Sequence, residues 1–245
     1  MIVFDNLSKN YGQKRALQGL NLQIENGEIF GLIGHNGAGK STTIKSLVSI
    51  IRPTEGEIFI DGEALSSHRD AIKQRIGYVP DSPDMFLALT PDFYWHFIGR
   101  IYGIAPEILT TRIAELCDLF DLHPDPGETI SAFSHGMRQK TFVIGALLSS
   151  PDVWVLDEPL TGLDPQSAYN LKRMMRHHAD TGHTVLFSTH VLAVAEEVCD
   201  RIGILRRGQL IFSGTMDELR AEHPGDSLED IYLKLVASAE EGAPA

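Results

Sequence analysis

The segment Gly34-His35-Asn36-Gly37-Ala38-Gly39-Lys40-Ser41-Thr42 fits the spacing G-x-x-x-x-G-K-[ST]. Glycines at these positions let successive main-chain N–H groups turn inward around phosphate oxygens. Lys40 can then reach the β- and γ-phosphates of a nucleoside triphosphate, and the Ser41 hydroxyl is a ligand for Mg²⁺. A helix opening at Lys40 adds the favourable end of its dipole. Gly34, Asn36, Gly37, Gly39, Lys40, Ser41 and Thr42 are therefore the expected phosphate-binding residues.

A second group supports the first. Val153-Trp154-Val155-Leu156-Asp157-Glu158 is an apolar strand ending in two carboxylates. On its own, such an ending is usually a strand meeting solvent. Beside a phosphate turn, Asp157 is placed to hold Mg²⁺ through its water shell. The adjacent Glu158 points elsewhere and can polarise an attacking water.

This chemistry needs a strand before the turn and a helix after it. Ile29-Phe30-Gly31-Leu32-Ile33 is apolar at nearly every position, as a doubly covered parallel strand should be. A helix is expected from about Lys40 to Ile51. Further buried-type strands recur at Val153–Leu156, Val185–Phe187 and Ile202–Leu205, with helical patterns between them. That alternation indicates a parallel α/β sheet. The start of the chain reads as short strands, Ile2–Phe4 and Leu20–Ile24, and Glu57–Ile60 stops at the hairpin-type turn signal Asp61-Gly62. From Ser82 to Ser150 the pattern is helical and broken by Pro91, Pro106, Pro124 and Pro126, which reads as a helical insertion. The acidic run from Ser238 to Ala245 is expected to be a disordered tail.

The 245 residues are 43% hydrophobic, enough for a sizeable core, and the net charge of −12 disfavours a polyanionic partner. The two cysteines, Cys117 and Cys199, have no metal-like spacing and fit a reducing compartment. No leader is expected from Met1–Lys9, and the longest apolar run, Phe142–Leu148, is too short to span a bilayer.

Taken in order, the motifs resemble those of one family. The phosphate turn is followed by Gly77-Tyr78-Val79-Pro80-Asp81, then Phe133-Ser134-His135-Gly136-Met137-Arg138-Gln139. Next come Leu156-Asp157-Glu158-Pro159, Leu160-Thr161-Gly162-Leu163-Asp164-Pro165 and Ser188-Thr189-His190. From Ile2 to about Leu235 the chain resembles the nucleotide-binding subunit of ABC transporters, and most nearly bacterial ABC-2-type export ATPases. The resemblance implies an α/β fold of the P-loop NTPase type, with a mainly parallel core sheet, an N-terminal antiparallel β-subdomain and a helical insertion. It implies one domain over 1–225, with 1–81 and 151–225 as the catalytic core and 82–150 as the helical subdomain. A C-terminal helix and tail occupy 226–245.

The same resemblance implies Mg-ATP as the ligand and assigns roles by position. Tyr11 stacks on adenine, and His190 contacts the γ-phosphate. Asp164 touches an opposite subunit. Ser134 and Gly136 contact ATP held by that second subunit, so a dimer is implied. Two positions depart from the family pattern. His135 replaces a small residue, and Asp81 stands where a glutamine usually lends its carbonyl to Mg²⁺. The implied partners are a second ATP-binding subunit and an integral-membrane permease, at the cytoplasmic face of the cell membrane, with no nucleic acid. The alternative is a soluble ABC ATPase acting on nucleic acid or ribosomes; a single phosphate turn, the acidic balance and the lack of heptads weigh against it. A GTPase would carry an Asn-Lys-x-Asp motif, which does not occur.

One aromatic segment has two readings. Phe93, Phe97 and Ile101 are expected to face the insertion's core, with Tyr94, Ile98 and Tyr102 on a neighbouring stripe. That second stripe is either also buried or lines a groove for a short permease helix.

Overall fold

A computed structural model describes residues 1–81 and 84–241. Strands β1 (Ile2–Tyr11) and β2 (Lys14–Ile24) form an antiparallel pair. Both are longer than their apolar alternation suggests. Register shifts between Phe4 and Asn10, with Asn6 at a φ of 49°, break the period of two without ending the ladder. After β3 (Ile29–Ile33) and α1 (Lys40–Leu47), β4 (Glu55–Ile60) pairs with β1 and turns through Asp61-Gly62 into β5 (Glu63–Ala64). Asp61 and Gly62 take φ of 49° and 83°, as the turn signal predicts. The helix expected to reach Ile51 ends at Leu47, and Ser49 is left-handed at a φ of 58°.

The chain continues through α2 (Arg69–Lys73) and β6 (Ile76–Val79) to a helical stretch, α3 (Pro91–Ile101), α4 (Pro106–Phe120) and α5 (His135–Leu147). It returns through β7 (Val153–Asp157), α6 (Pro165–Asp180), β8 (Thr184–Thr189), α7 (Leu192–Val198), β9 (Arg201–Arg206) and β10 (Gln209–Gly214). Helices α8 (Met216–Glu222) and α9 (Leu228–Glu241) close the described chain. Helix α9 runs through 238–241, part of the stretch expected to be disordered, because its Ala and Glu residues extend the helix. Residues 242–245 lie outside those described.

The six-stranded sheet has the order β10-β9-β3-β8-β7-β6, parallel except for β10 at its edge. The four-stranded sheet, β2-β1-β4-β5, is antiparallel. One cluster joins Phe4, Leu20 and Ile58 of the smaller sheet to Phe30, Leu186 and Val155 of the larger, with Ile44 and Leu47 of α1 between. A second covers the other face of the larger sheet, where Trp154 and Phe187 meet Tyr94, Phe142 and Leu171 of the helices. Apolar burial on both faces explains why β3, β7 and β8 read as continuous hydrophobic runs.

Helix α3 corrects the expectation for its two stripes. Phe93, Phe97 and Ile101 are 58%, 40% and 49% exposed, whereas Tyr94 is 4% exposed. Tyr94 packs 5.0 Å from Phe86 and 5.1 Å from Phe142 (ring centroids), and a Cβ on Gly145 would come within 2.5 Å of its ring. The Trp95 indole N–H donates to Thr141 O at 2.9 Å, and the Tyr102 hydroxyl donates to Ile76 O at 2.7 Å. Trp95 can be buried and Tyr102 half-buried here because each polar tip finds a main-chain partner. The stripe bearing Tyr94 and Tyr102 is core, and substitutions there report on folding rather than on a groove.

Candidate nucleotide site

The phosphate turn leaves the sheet where the buried run of β3 ends. Gly34 can be nothing larger, because a Cβ there would lie 2.6 Å from Leu205 O. Gly37 and Gly39 take φ of 82° and 118°, and Gly39 is the N-cap of α1. The turn therefore delivers its main chain directly onto a helix N-terminus, as the spacing predicts.

The structure brings most of the expected residues to one cavity of about 220 Å³. Asn36, Gly37, Gly39, Lys40, Ser41 and Thr42 line it, with Tyr11 from the end of β1, Asp81 after β6, and Glu158 after β7. His35, Lys14 and Ala16 also line it. Tyr11 keeps an exposed ring, with Lys9 Nζ 5.1 Å from its centroid. A flat face at the cavity mouth suits stacking by a base.

Lys40 is buried, donates to Gly34 O at 2.6 Å, and stands 3.2 Å from Glu158 Oε1. Asp157, also buried, accepts from Ser188 Oγ at 2.6 Å and from Ser41 Oγ at 3.3 Å. Burial pushes the Asp157 carboxyl above its ordinary range, and the charges of Asp81 and Glu158 push the same way, against the two serine hydroxyls. A buried carboxylate, a hydroxyl beside it and a further carboxylate at the cavity wall fit a hard divalent cation, which would relieve that repulsion. Among the described residues no three His, Cys, Asp or Glu side chains converge as an all-protein cage.

Glu158 takes a φ of 50°, unusual for a non-glycine residue and typical of functional positions. The turn is held by its N–H, which donates to Ser188 Oγ at 3.0 Å. Glu158 Oε2 lies 2.9 Å from His190 Nδ1. The carboxylate is thus held between the lysine of the turn and the histidine after β8. Ser188 ties Asp157 and Glu158 together. Its position in Ser188-Thr189-His190 is the only signal for it.

Ser134, Gly136 and Asp164 gather elsewhere. None of them lines the cavity around Lys40. Ser134 caps α5 and accepts from Met137 N at 3.3 Å. Asp164 caps α6, accepting from Ser167 N at 2.9 Å, and pairs with Lys140 Nζ at 2.9 Å. That lysine, followed by the Ser167 bonds, holds the Asp164 carboxyl well below the usual range. The two segments are pressed together: a Cβ on Gly136 would lie 2.5 Å from Gly162 O, and one on Gly162 would lie 2.2 Å from the His135 ring. Gln139 Nε2 donates to Pro159 O at 3.2 Å. The start of α5 therefore clamps the loop that leaves Glu158. Gln139 closes the motif that begins at Phe133, but no spacing in the sequence points to its bond with Pro159 or to the pairing of Lys140 with Asp164.

Comparison with known proteins agrees with this geometry. The family model described as ABC transporter matches residues 17–161. The linearmycin resistance ATP-binding protein LnrL of Bacillus subtilis (strain 168) is 33% identical over 239 residues, covering 98% of this chain and 77% of that protein. The Nod factor export ATP-binding protein I of Burkholderia orbicola (strain AU 1054) is 34% identical over 235 residues, covering 94% and 76%. A solved ATP binding subunit of an ABC transporter superposes with a TM-score of 0.89 at 32% identity, covering 96% of this chain and 99% of that one. On these matches the chain belongs to the ABC transporter family, as an ATP-binding subunit.

Proposed function

We propose that this chain binds and hydrolyses ATP to drive a separate membrane permease, and that it works as a pair of ATP-binding subunits. The observation that carries the reading is the arrangement around Glu158, with Lys40 on one carboxylate oxygen and His190 on the other. Lys40 anchors the β- and γ-phosphates, and Tyr11 receives the base. A phosphate drawing Lys40 towards itself frees Glu158 Oε1 to accept a proton from an attacking water. His190 orients Glu158 and is within reach of the same phosphate. Mg²⁺, held by Ser41, Asp157 and Asp81, would supply charge neutralisation for the phosphates. Asp81 offers a shorter and charged arm compared with the usual glutamine, so contact through water suits it.

Ser134 and Gly136, remote from Lys40 in their own chain, would complete the site of a second subunit. The α5 N-terminus offers main-chain N–H groups and a hydroxyl to phosphate there. Among the described residues no helix is long and apolar enough to cross a membrane. We place the chain at the cytoplasmic face of the membrane through its permease, and the exposed Phe93, Phe97 and Ile101 stripe of α3 is the apolar surface available to it. Relatives named for drug resistance and for Nod factor export support an exporter over an importer. The test is phosphate release from ATP by the chain co-purified with its permease. Release that requires Mg²⁺ and stops with chelator supports the reading, and no release under either condition contradicts it.

A further inference from the structure

The loop that leaves Glu158 is built from two linked turns. The Thr161 N–H donates to Glu158 O at 3.3 Å, and the Leu163 N–H donates to Leu160 O at 3.4 Å. Gly162 is left-handed at a φ of 78°. Leu160 and Leu163 rest on the core, while Thr161 and Gly162 form an exposed tip. A glycine has wide backbone freedom, so the tip needs an outside restraint to keep one shape. Helix α5 supplies it with a single face, because His135, Gly136, Gln139 and Lys140 recur at helical spacing. Each of the four meets the loop. Gln139 Nε2 donates to Pro159 O at 3.2 Å, and Lys140 Nζ pairs with Asp164 Oδ2 at 2.9 Å. Gly136 admits Gly162 O, which a Cβ there would meet at 2.5 Å. The His135 ring covers the tip itself. A Cβ on Gly162 would overlap its Cδ2 and lie 3.2 Å from its Cγ. A small residue at position 135 would leave the other three contacts in place and this one open.

We propose that His135 is a positioning residue for Glu158. Its ring closes the tip at Gly162, so that the loop and the start of α5 move as one body. The two turns carry that placement back to the Glu158 carboxylate between Lys40 and His190. His135 lies outside the cavity lined by Lys40 and acts through the loop. Ring carbons make the nearest approach to Gly162, so the bulk and flat surface of the ring do the positioning. The inference rests on reading Glu158 as the base.

The experiment compares wild type with His135→Ala, His135→Phe, Gly162→Ala and the double variant His135→Ala/Gly162→Ala, with Glu158→Gln as the reference for loss of the base. For each, kcat and KM for phosphate release from Mg-ATP, the melting temperature and amide hydrogen exchange at Thr161 and Leu163 are measured. For His135→Ala the expected kcat is lower by about tenfold, on the scale of a sub-ångström misplacement of a catalytic group. KM and the melting temperature stay near wild type, and exchange at both amides is faster. His135→Phe keeps a flat ring over Gly162 and is expected to restore most of kcat. In Gly162→Ala the new methyl meets the ring, so removing the ring in the double variant is expected to add nothing to the loss. Wild-type kcat and exchange in His135→Ala would overturn the inference, as would a His135→Phe variant as slow as His135→Ala. So would losses that add in the double variant, or a rise in KM at unchanged kcat, which would place the ring on a second subunit's nucleotide. If Glu158→Gln hydrolyses ATP at the wild-type rate, the reading of Glu158 itself fails, while exchange at Thr161 and Leu163 still decides whether His135 holds the loop.

Discussion

Lys40 Nζ stands 3.2 Å from Glu158 Oε1, so the phosphate anchor and the base share one ion pair across the cavity. The lysine's other bond, to Gly34 O, keeps it over the turn. Lys40→Ala removes the charge that meets the β- and γ-phosphates and leaves Glu158 without its partner. Charge-assisted bonds of this kind are worth about 1.5–3 kcal/mol, so Mg-ATP affinity is expected to fall roughly tenfold to hundredfold. Isothermal titration reads this directly, and an unaltered affinity would remove Lys40 from the role.

Helix α3 separates a stability effect from a partner effect. Tyr94→Ala empties a site between Phe86, Phe142 and Gly145 and is expected to cost about 3–5 kcal/mol of stability. Phe93→Ser with Phe97→Ser changes exposed positions and is expected to leave the melting temperature nearly unchanged while reducing co-purification with the permease. Retained capture by the double variant would show that the exposed stripe is not the docking surface.

His178 makes the fold sensitive to mild acid. It stacks on His183 at 4.9 Å and meets the edge of Trp154 at 5.8 Å, with His177 and Asp152 also acting on it. Burial first, then the charges of His183 and His177, lowers it from 6.5 to about 4. The unfolded chain therefore binds the proton more tightly than the folded one. Stability is fully present above pH 6.5 and is lost as pH falls from there to about 4. Allowing for partial exposure, the change from about pH 7 to about pH 5 is about 1–2 kcal/mol from this group. Denaturant melts at the two pH values are expected to show that loss in wild type and a smaller one in His178→Phe. Equal losses would place the acid sensitivity elsewhere.

Gly136 is confined by packing as well as by any phosphate contact. An alanine methyl would meet Gly162 O at 2.5 Å, so the Leu160–Asp164 loop or α5 must shift. Gly136→Ala is expected to cost about 1–3 kcal/mol and to slow turnover through displacement of that loop. Unchanged melting and unchanged turnover together would show that the clamp is slack.

What was legible in the sequence was local. The turn from Gly34 to Thr42, the strand ending at Asp157 and the Asp61-Gly62 hairpin each carry their geometry in consecutive residues, and each forms as expected. The extent of β1 was hidden because its bulges interrupt the alternation on which a strand is read. The facing of α3 was hidden because aromatic residues occupy both stripes. Gly99 and Gly145 decide which side packs, since they admit Leu109 and the Tyr94 ring. Ser188 and Lys140 meet their partners only after the sheet order and helix packing bring distant segments together. No spacing in the chain announces them.

Glu158→Gln tests the central claim most directly, because it changes one carboxylate oxygen to an amide while keeping the shape between Lys40 and His190. The account predicts that Mg-ATP binds this variant with near wild-type affinity while turnover falls ~10²–10⁴-fold, the usual loss on removing a general base. With ATP retained, the variant should also accumulate as a dimer by light scattering. Hydrolysis at a near wild-type rate would contradict the account.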